Sequence, residues 1–155
     1  MQPSFLLALL KEARRRRIHT AMESCAFASE SVFLSALPLL DYLLIDVKHM
    51  DSREHERLTG VPNERILANI KAAREYFPNL PLRLRTPVIP GCNDSEACLG
   101  DIRRFARSVG AEHELLPYHR MGQSKYTSLG RPFPMGDAVL TDERFETLKS
   151  FVNTL

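Results

Sequence analysis

The sequence predicts an α/β fold, either part of a barrel or a wound open sheet, in which helices cover successive parallel strands. The first indication is the segment Asp41 to Lys48, which is apolar from Tyr42 to Val47 except for Asp46. That density of apolar residues is typical of a strand buried on both faces of a parallel sheet. The second is that segments with helical spacing of apolar residues alternate with strand candidates along the chain.

The first predicted helix runs from Pro3 to Arg17, because apolar residues recur in it every three or four positions, namely Phe5, Leu6, Leu9, Leu10 and Ala13. The four arginines that end it either complement the negative end of the helix dipole or form an anion-binding patch. A short strand, Ile18 to Ser24, follows. The next predicted helix extends through Leu37 and is capped by Ser29 or Ser31.

Side chains of the strand 41–48 are expected to alternate between two faces. Leu43, Ile45 and Val47 then share one face, and the other carries Leu44, Asp46 and Lys48. A short polar helix, 51–58, and Gly60 come next. Asn63 is the predicted N-cap of a helix that reaches Phe77.

The rest of the chain repeats the alternation. A third strand, 80–89, should place Leu82, Leu84 and Thr86 on one face, opposite Arg83, Arg85 and Pro87. Asp94 or Ser95 caps a helix to Val109, and a fourth strand, 112–118, follows. Segment 120–136 has no clear period and is predicted to be a long loop. The last helix is predicted to start at 141–143.

Polar residues lie at or near the carboxyl ends of all four predicted strands, namely Glu23, Asp46, Lys48, Arg85 and His119. Because these ends form one rim in a parallel sheet, we expect the residues to face a shared cleft. Asp46 and Lys48 could grip a zwitterionic ligand or form a structural ion pair, and His119 could be catalytic or structural. Ser24 has no neighbouring histidine, so the sequence assigns no catalytic residue.

Composition excludes several classes of partner. Net charge is +2, which is too small to indicate binding to nucleic acid or to an anionic membrane, and no apolar run reaches the length of a transmembrane helix. We therefore expect neither a nucleic acid nor a membrane as partner. The three cysteines, at 25, 92 and 98, fit no disulfide framework and no common metal-ligand spacing. They are predicted to be ordinary thiols in a cytoplasmic protein with no metal ligands.

Five segments resemble the glycyl-radical-enzyme activating enzymes in order and spacing. They are the stretches 18–26, 44–48, 58–63, 88–91 and 114–119, which read IHTAMESCA, LIDVK, LTGVPN, VIPG and ELLPYH. The loop 122–130, GQSKYTSLG, resembles the segment that follows the histidine in that family. The resemblance runs from Gln2 nearly to the end of the chain.

This resemblance implies a portion of the partial (β/α) barrel of six strands found in radical S-adenosylmethionine enzymes. It also implies a [4Fe-4S] cluster that reduces S-adenosylmethionine, and a partner glycyl radical enzyme of the pyruvate formate-lyase type. Residues matching Asp46, Lys48 and His119 line the S-adenosylmethionine site, and Glu23 and Ser24 match a place where a monovalent cation is held. Val47 and Arg85 complete the predicted cofactor-binding set.

The family's Cys-x3-Cys-x2-Cys and Gly-Gly-Glu motifs are absent from the sequence. We therefore expect residues 1–155 to be a single truncated barrel domain, lacking the first two strands and matching the last two thirds of an activating enzyme. One hypothesis, which we favour, is a part of an activase that is inactive alone. The alternative is a non-catalytic binding module that keeps the rim and docks a glycyl radical enzyme. Under the favoured hypothesis, S-adenosylmethionine should bind weakly or not at all.

Overall fold

Four parallel strands form one sheet in the computed structural model, which describes residues 2–155. They lie side by side in chain order as β1 (Ala21–Ser24), β2 (Tyr42–Asp46), β3 (Leu82–Val88) and β4 (Glu112–Pro117). The α-helices within that range are α1 (Pro3–Arg15), α2 (Glu30–Ala36), α3 (Ser52–Thr59), α4 (Glu64–Tyr76), α5 (Glu96–Ser108), α6 (Gln123–Ser128) and α7 (Asp142–Thr154). The predicted α/β class and parallel strand order are confirmed.

The hydrophobic core lies on one side of the sheet. Leu43, Ile45 and Leu84 have no exposed surface and belong to a cluster to which α2, α4 and α5 contribute apolar side chains. A smaller cluster joins β3, α5 and α7 through Val88, Leu99, Leu148 and Val152. The predicted alternation of faces in β2 and β3 is confirmed by their burial.

Burial of β2 on both faces, which its apolar run predicted, is wrong. Leu44 and Asp46 are only partly buried, because the face of the sheet opposite the core carries charged side chains and is not covered by apolar residues from a helix. Tyr42 and Leu44 contribute to the apolar run of the sequence, but in the fold they lie among those charged groups and not beneath a second layer of helices. The predicted rim residues Asp46 and Arg85 lie on this partly exposed face.

The amino-terminal helix is shorter than predicted and only part of its apolar periodicity is buried. It ends at Arg15, and Arg17 has a φ of 57°, which no α-helix contains. Leu6 and Leu10 pack against the core, whereas Phe5 is 68% exposed and Leu9 is 53% exposed. The periodicity therefore located the helix but assigned too wide a face to the interior.

The strand β1 starts three residues later than predicted. The backbone amide of Thr20 donates to Asp41 Oδ2 at 2.8 Å, and its hydroxyl donates to Leu39 O at 2.9 Å. These contacts tie the chain to the loop before β2 and take Thr20 out of the strand. Ile18 is exposed, so the apolar start of the predicted strand lies outside the sheet.

The predicted cap Ser95 forms, since its side chain accepts from the amide of Cys98 at 3.2 Å. Asp51 was predicted to be the first residue of its helix and is instead the N-cap of α3, where its side chain accepts from the amide of Glu54 at 2.9 Å. Asn63 and Ser29 stand at the N-cap positions of α4 and α2, but neither side chain makes a capping bond.

The segment 120–136 was predicted to be a loop, yet it contains the short helix α6. The turn is stabilised locally, since the ring of Tyr126 packs edge-on against Phe133 at 5.5 Å between centroids. A six-residue helix is too short to show a hydrophobic period, which explains why the pattern missed it. Among the described residues, no helix has both the length and the apolar character needed to cross a bilayer.

Candidate functional site

Three neighbouring strands bring charged side chains together at the carboxyl end of the sheet. Asp46 and Arg85 are register partners on β2 and β3, and Glu23 lies on β1 beside them. The Arg85 guanidinium contacts the Glu23 carboxylate and lies 3.2 Å from Asp46 Oδ1. These residues face away from the core, so one guanidinium joins two carboxylates from two other strands.

Lys48 extends this group from just beyond β2. Its ammonium lies 3.4 Å from Asp46 Oδ2, so each oxygen of Asp46 faces a different cation. The structure therefore brings Glu23, Asp46, Lys48 and Arg85 into one network, which we call the rim network. Both interpretations of Asp46 and Lys48 remain compatible with it, since the ion pair exists and also orients polar groups toward the open face.

Electrostatics hold Arg85 in its charged form. Burial disfavours the charge, but hydrogen bonds to Glu23 and Asp46 outweigh it and keep the pKa of Arg85 above its ordinary value. Arg85 is 14% exposed, and its Nε is buried with no partner among residues 2–155. The rim network therefore contains a buried donor without a partner among those residues, while the Glu23 side chain remains 62% exposed.

Val47 and Ser24 are engaged in local structure. The amide of Val47 donates to Arg85 O at 2.9 Å, and its carbonyl accepts from the Thr86 hydroxyl at 2.9 Å. The Ser24 hydroxyl accepts from the amide of Ala26, a residue whose φ is 54°. Both residues thus shape the backbone next to the rim network, and neither side chain belongs to it.

His119 stands apart from the rim network. It lies two residues beyond β4, is exposed, and makes no hydrogen bond within the described residues. Its imidazole is consequently available at the same end of the sheet as Glu23 and Asp46. Of the predicted site residues, it is the one that the fold leaves without a protein partner.

The cysteines have three different environments. Cys25 is exposed, Cys92 is partly exposed, and Cys98 is buried, which raises the pKa of its thiol to about 11. Across residues 2–155, no three His, Cys, Asp or Glu side chains converge as a metal-binding group. The residues present do not fit a [4Fe-4S] cluster.

Three buried asparagines hold the loops around the rim network, and the sequence prediction missed them. Asn69 donates to Ala26 O and Ala28 O, at 2.8 and 3.0 Å, and so fixes the loop after β1. The Asn63 amide donates to the carbonyls of residues 49 and 50, which explains why it does not cap α4. Asn69 interrupts the apolar stripe of its helix, and that interruption was the available signal.

Asn93 fixes the ends of two strands at once. Its Nδ2 donates to Lys48 O at 2.8 Å and to Pro87 O at 3.0 Å, and its Oδ1 accepts from the amide of Ile89 at 2.7 Å. The side chain is 2% exposed. The backbone of Lys48, and with it the direction from which its ammonium reaches Asp46, is thus tied to β3.

A second unpredicted pair lies behind the sheet. His113 Nε2 lies 3.0 Å from the Thr86 hydroxyl, which itself donates to Val47 O. Because that hydroxyl has one hydrogen, His113 must donate through Nε2, which leaves Nδ1 unprotonated and buried without a partner among residues 2–155. Burial, helped by the Arg103 charge, lowers the pKa of His113 to about 4.

No model of a protein family matches the chain. Curated relatives do. The isethionate sulfite-lyase activating enzyme of Nitratidesulfovibrio vulgaris is 49% identical over 151 residues, which are 97% of this chain and 49% of the relative. The 4-hydroxyphenylacetate decarboxylase activating enzyme of Clostridioides difficile is 40% identical over 144 residues, 92% of this chain and 46% of the relative.

A solved structure is also similar. A domain of pyruvate-formate lyase-activating enzyme from Bacteroides vulgatus superposes with a TM-score of 0.78 at 27% identity, covering 99% of this chain and 86% of that one. The chain spans about half the length of the curated relatives it matches, less than the two thirds predicted. The curated homologues of this chain are therefore glycyl-radical-enzyme activating enzymes, and its structure is similar to that of a domain of a pyruvate-formate lyase-activating enzyme.

Proposed function

We propose that this chain supplies part of the S-adenosylmethionine site of a glycyl-radical-enzyme activating enzyme and is inactive by itself. The rim network is the observation that carries the proposal, because its four charges come from three adjacent strands and gather on the open face. S-adenosylmethionine presents an ammonium, a carboxylate, a sulfonium and ribose hydroxyls. Two carboxylates, a guanidinium and an ammonium on one rim are a suitable set of partners.

The proposed role of each residue follows from the hydrogen bonds and charge contacts that it could still make with a ligand. Asp46 and Arg85 are oriented by their ion pair, and the Glu23 side chain, although it contacts Arg85, is exposed enough to meet a ligand. His119 is free to contact adenine or ribose. Val47 and Ser24 hold the backbone of the rim, and Ser24 with Glu23 is the proposed place for a monovalent cation. In a whole activase, these residues would hold S-adenosylmethionine, which would supply the radical chemistry.

The proposed partner is a glycyl radical enzyme. Higher identity to the isethionate sulfite-lyase activating enzyme than to the decarboxylase activating enzyme, 49% against 40%, supports a lyase that acts on a sulfonate. This refines the pyruvate formate-lyase type that the motifs suggested. The chain itself has no cysteine set for an iron–sulfur cluster, and therefore no source of the electron.

Isothermal titration of S-adenosylmethionine into the wild type, Asp46→Ala and His119→Ala tests the proposal. Each missing charge-assisted hydrogen bond removes roughly 1.5–3 kcal/mol. An affinity that would be micromolar in a whole activase, about 8 kcal/mol, should therefore fall to millimolar or weaker. Asp101→Ala, which removes an exposed carboxylate on α5, is the matched control.

Weak heat in the wild type that is lost in Asp46→Ala and retained in Asp101→Ala is the expected result. Absence of heat in all the proteins also agrees with a chain that is inactive alone. Micromolar binding that both Asp46→Ala and His119→Ala abolish would contradict this proposal and establish the non-catalytic binding module instead. Circular dichroism of each variant confirms that the fold is intact.

A further inference from the structure

A cleft of about 520 Å³ lies along β4. Four consecutive residues of the strand, 112–115, form its floor, and Arg103 of α5 and Lys149 of α7 also line it. Glu114 is the register partner of Arg85, so the cleft borders the rim network on the charged face of the sheet. No residue of the rim network lines the cleft, which continues around β4 to α5 and α7.

Strand β4, which forms the floor of the cleft, has one unpaired edge. Within residues 2–155, β4 pairs with β3 alone, so its other side presents alternate backbone N–H and C=O groups. Sheet edges are commonly protected by lysines or prolines, but β4 has no lysine and its single proline is its last residue. The edge between Glu112 and Leu115 is thus competent to accept another strand.

The two sides of the cleft carry opposite charge. Strand alternation puts Glu112 and Glu114 on one face, where they share the guanidinium of Arg83 at 2.6 and 3.3 Å. Two carboxylates against one cation leave that side net negative. The side is also open, since Glu112 is 64% exposed and Glu114 is 42% exposed.

The opposite side is positive and has unused hydrogen-bonding groups. Within residues 2–155, Arg103 makes no hydrogen bond or ion pair, and its Nε is buried without a partner. Lys149 has an exposed contact of 3.4 Å with Glu146, and its ammonium lies 6.0 Å from the centroid of the Phe145 ring. His113 Nδ1, an acceptor, is likewise buried and unpartnered beneath Arg103 and Lys149. Buried polar atoms without partners are rare, which indicates that this side is completed by something else.

We propose that the free edge of β4 binds an extended segment of another polypeptide as a fifth strand, in which basic and acidic residues alternate. Basic side chains then face Glu112 and Glu114, and acidic side chains face Arg103 and Lys149. The backbone ladder provides affinity and the alternating charges fix the register, because a slip of one residue would place like charges together. The occupant is a protein strand and not a free anion, since a free anion would satisfy one side only.

The test uses fluorescein-labelled peptides with blocked termini and anisotropy at low salt. The probe is Val-Lys-Glu-Lys-Glu-Lys-Val, and its control, Val-Lys-Lys-Lys-Glu-Glu-Val, has the same composition without alternation. We expect the probe to bind the wild type and the control to bind at least about tenfold more weakly. Lys149→Glu should weaken the probe by a similar factor, and Lys71→Glu, on the exposed side of α4, should leave it unchanged.

Backbone methylation separates strand pairing from charge attraction. Two versions of the probe carry N-methyl groups on its odd or on its even residues, which removes donors from one edge or the other. One version should lose binding and the other retain it. Equal binding by both versions, equal binding by probe and control, or no binding of the probe would overturn the proposal.

Discussion

Arg85 is the residue on which both carboxylates of the rim network depend. It is the least exposed member of that network, and it is placed by β3 between side chains of β1 and β2. Its removal would leave Asp46 with Lys48 alone and Glu23 with no cation in contact. The cost should therefore exceed that of breaking an exposed ion pair, which is commonly below 1 kcal/mol.

We expect Arg85→Ala to lower the free energy of unfolding by about 1–3 kcal/mol, because a partly buried carboxylate loses a charge-assisted hydrogen bond. Urea denaturation followed by circular dichroism measures the change. Arg57→Ala, which breaks the exposed pair with Glu54 on α3, is the control and should cost less than about 0.5 kcal/mol. Equal losses of unfolding free energy in Arg85→Ala and Arg57→Ala would show that the rim network stabilises the protein no more than an exposed ion pair does.

His113 predicts a specific dependence of stability on pH. Its pKa is about 4 in the folded protein, against an ordinary value of 6.5, because burial disfavours the imidazolium. The unfolded chain therefore binds more protons between these values, and stability falls as the pH is lowered from 6.5 toward 4. A difference of this size corresponds to at most about 3 kcal/mol.

The measurement is the free energy of unfolding of the wild type and His113→Gln at several pH values between 4 and 7. The wild type should lose stability steeply across this range, and the variant should have a shallower slope. His19→Gln, which changes an exposed histidine before β1, should keep the wild-type slope. Parallel curves for wild type and His113→Gln would contradict the assignment of a buried neutral imidazole.

At the scale of secondary-structure elements, loops after the strands are held by asparagine side chains as well as by apolar packing. Asn69 connects α4 to the loop after β1, and it is 1% exposed. We expect Asn69→Ala to destabilise the protein by about 2–3 kcal/mol, because two buried carbonyls lose their donor. Hydrogen exchange should accelerate at the amides of 25–29 and remain unchanged in α7.

Asn153→Ala is the matched control, because Asn153 is exposed near the end of α7 and holds no loop. It should leave both stability and exchange near wild-type values. If instead Asn69→Ala changed exchange throughout the molecule to the same degree, Asn69 would be supporting the core and not specifically the loop after β1.

Elements with long, regular patterns could be predicted from the sequence, and those fixed by single contacts could not. The alternation of leucine and arginine in β3 gave its two faces correctly, because period-two burial is visible in a strand. Glu23, Asp46, Lys48 and Arg85 could be placed on one rim for the same reason. The positions of Asn63 and Asn93 relative to distant carbonyls depend on tertiary structure, and no local pattern reveals them.

At the scale of the whole molecule, the sheet has a second free edge at β1, which pairs with β2 alone in the part of the chain that the structure describes. Unpaired donors and acceptors there invite association between copies. We expect oligomers at high protein concentration, measured by light scattering over a wide range. Ala21→Lys, on the exposed start of β1, should reduce association, since a lysine at an edge opposes strand pairing.

Ala68→Lys adds the same charge on the exposed face of α4 and controls for a general effect of net charge. It should leave association unchanged. A monodisperse monomer at every concentration in the wild type would count against the prediction, and so would equal suppression by the two lysines.

The asparagine contacts around the rim have an implication for how such a site can change in evolution. Asn63, Asn69 and Asn93 donate only to backbone carbonyls, which every amino acid possesses. The loops they hold can accordingly exchange side chains without losing those hydrogen bonds. Selection could then alter what the rim recognises one loop residue at a time, while the polypeptide path that presents those residues stays the same.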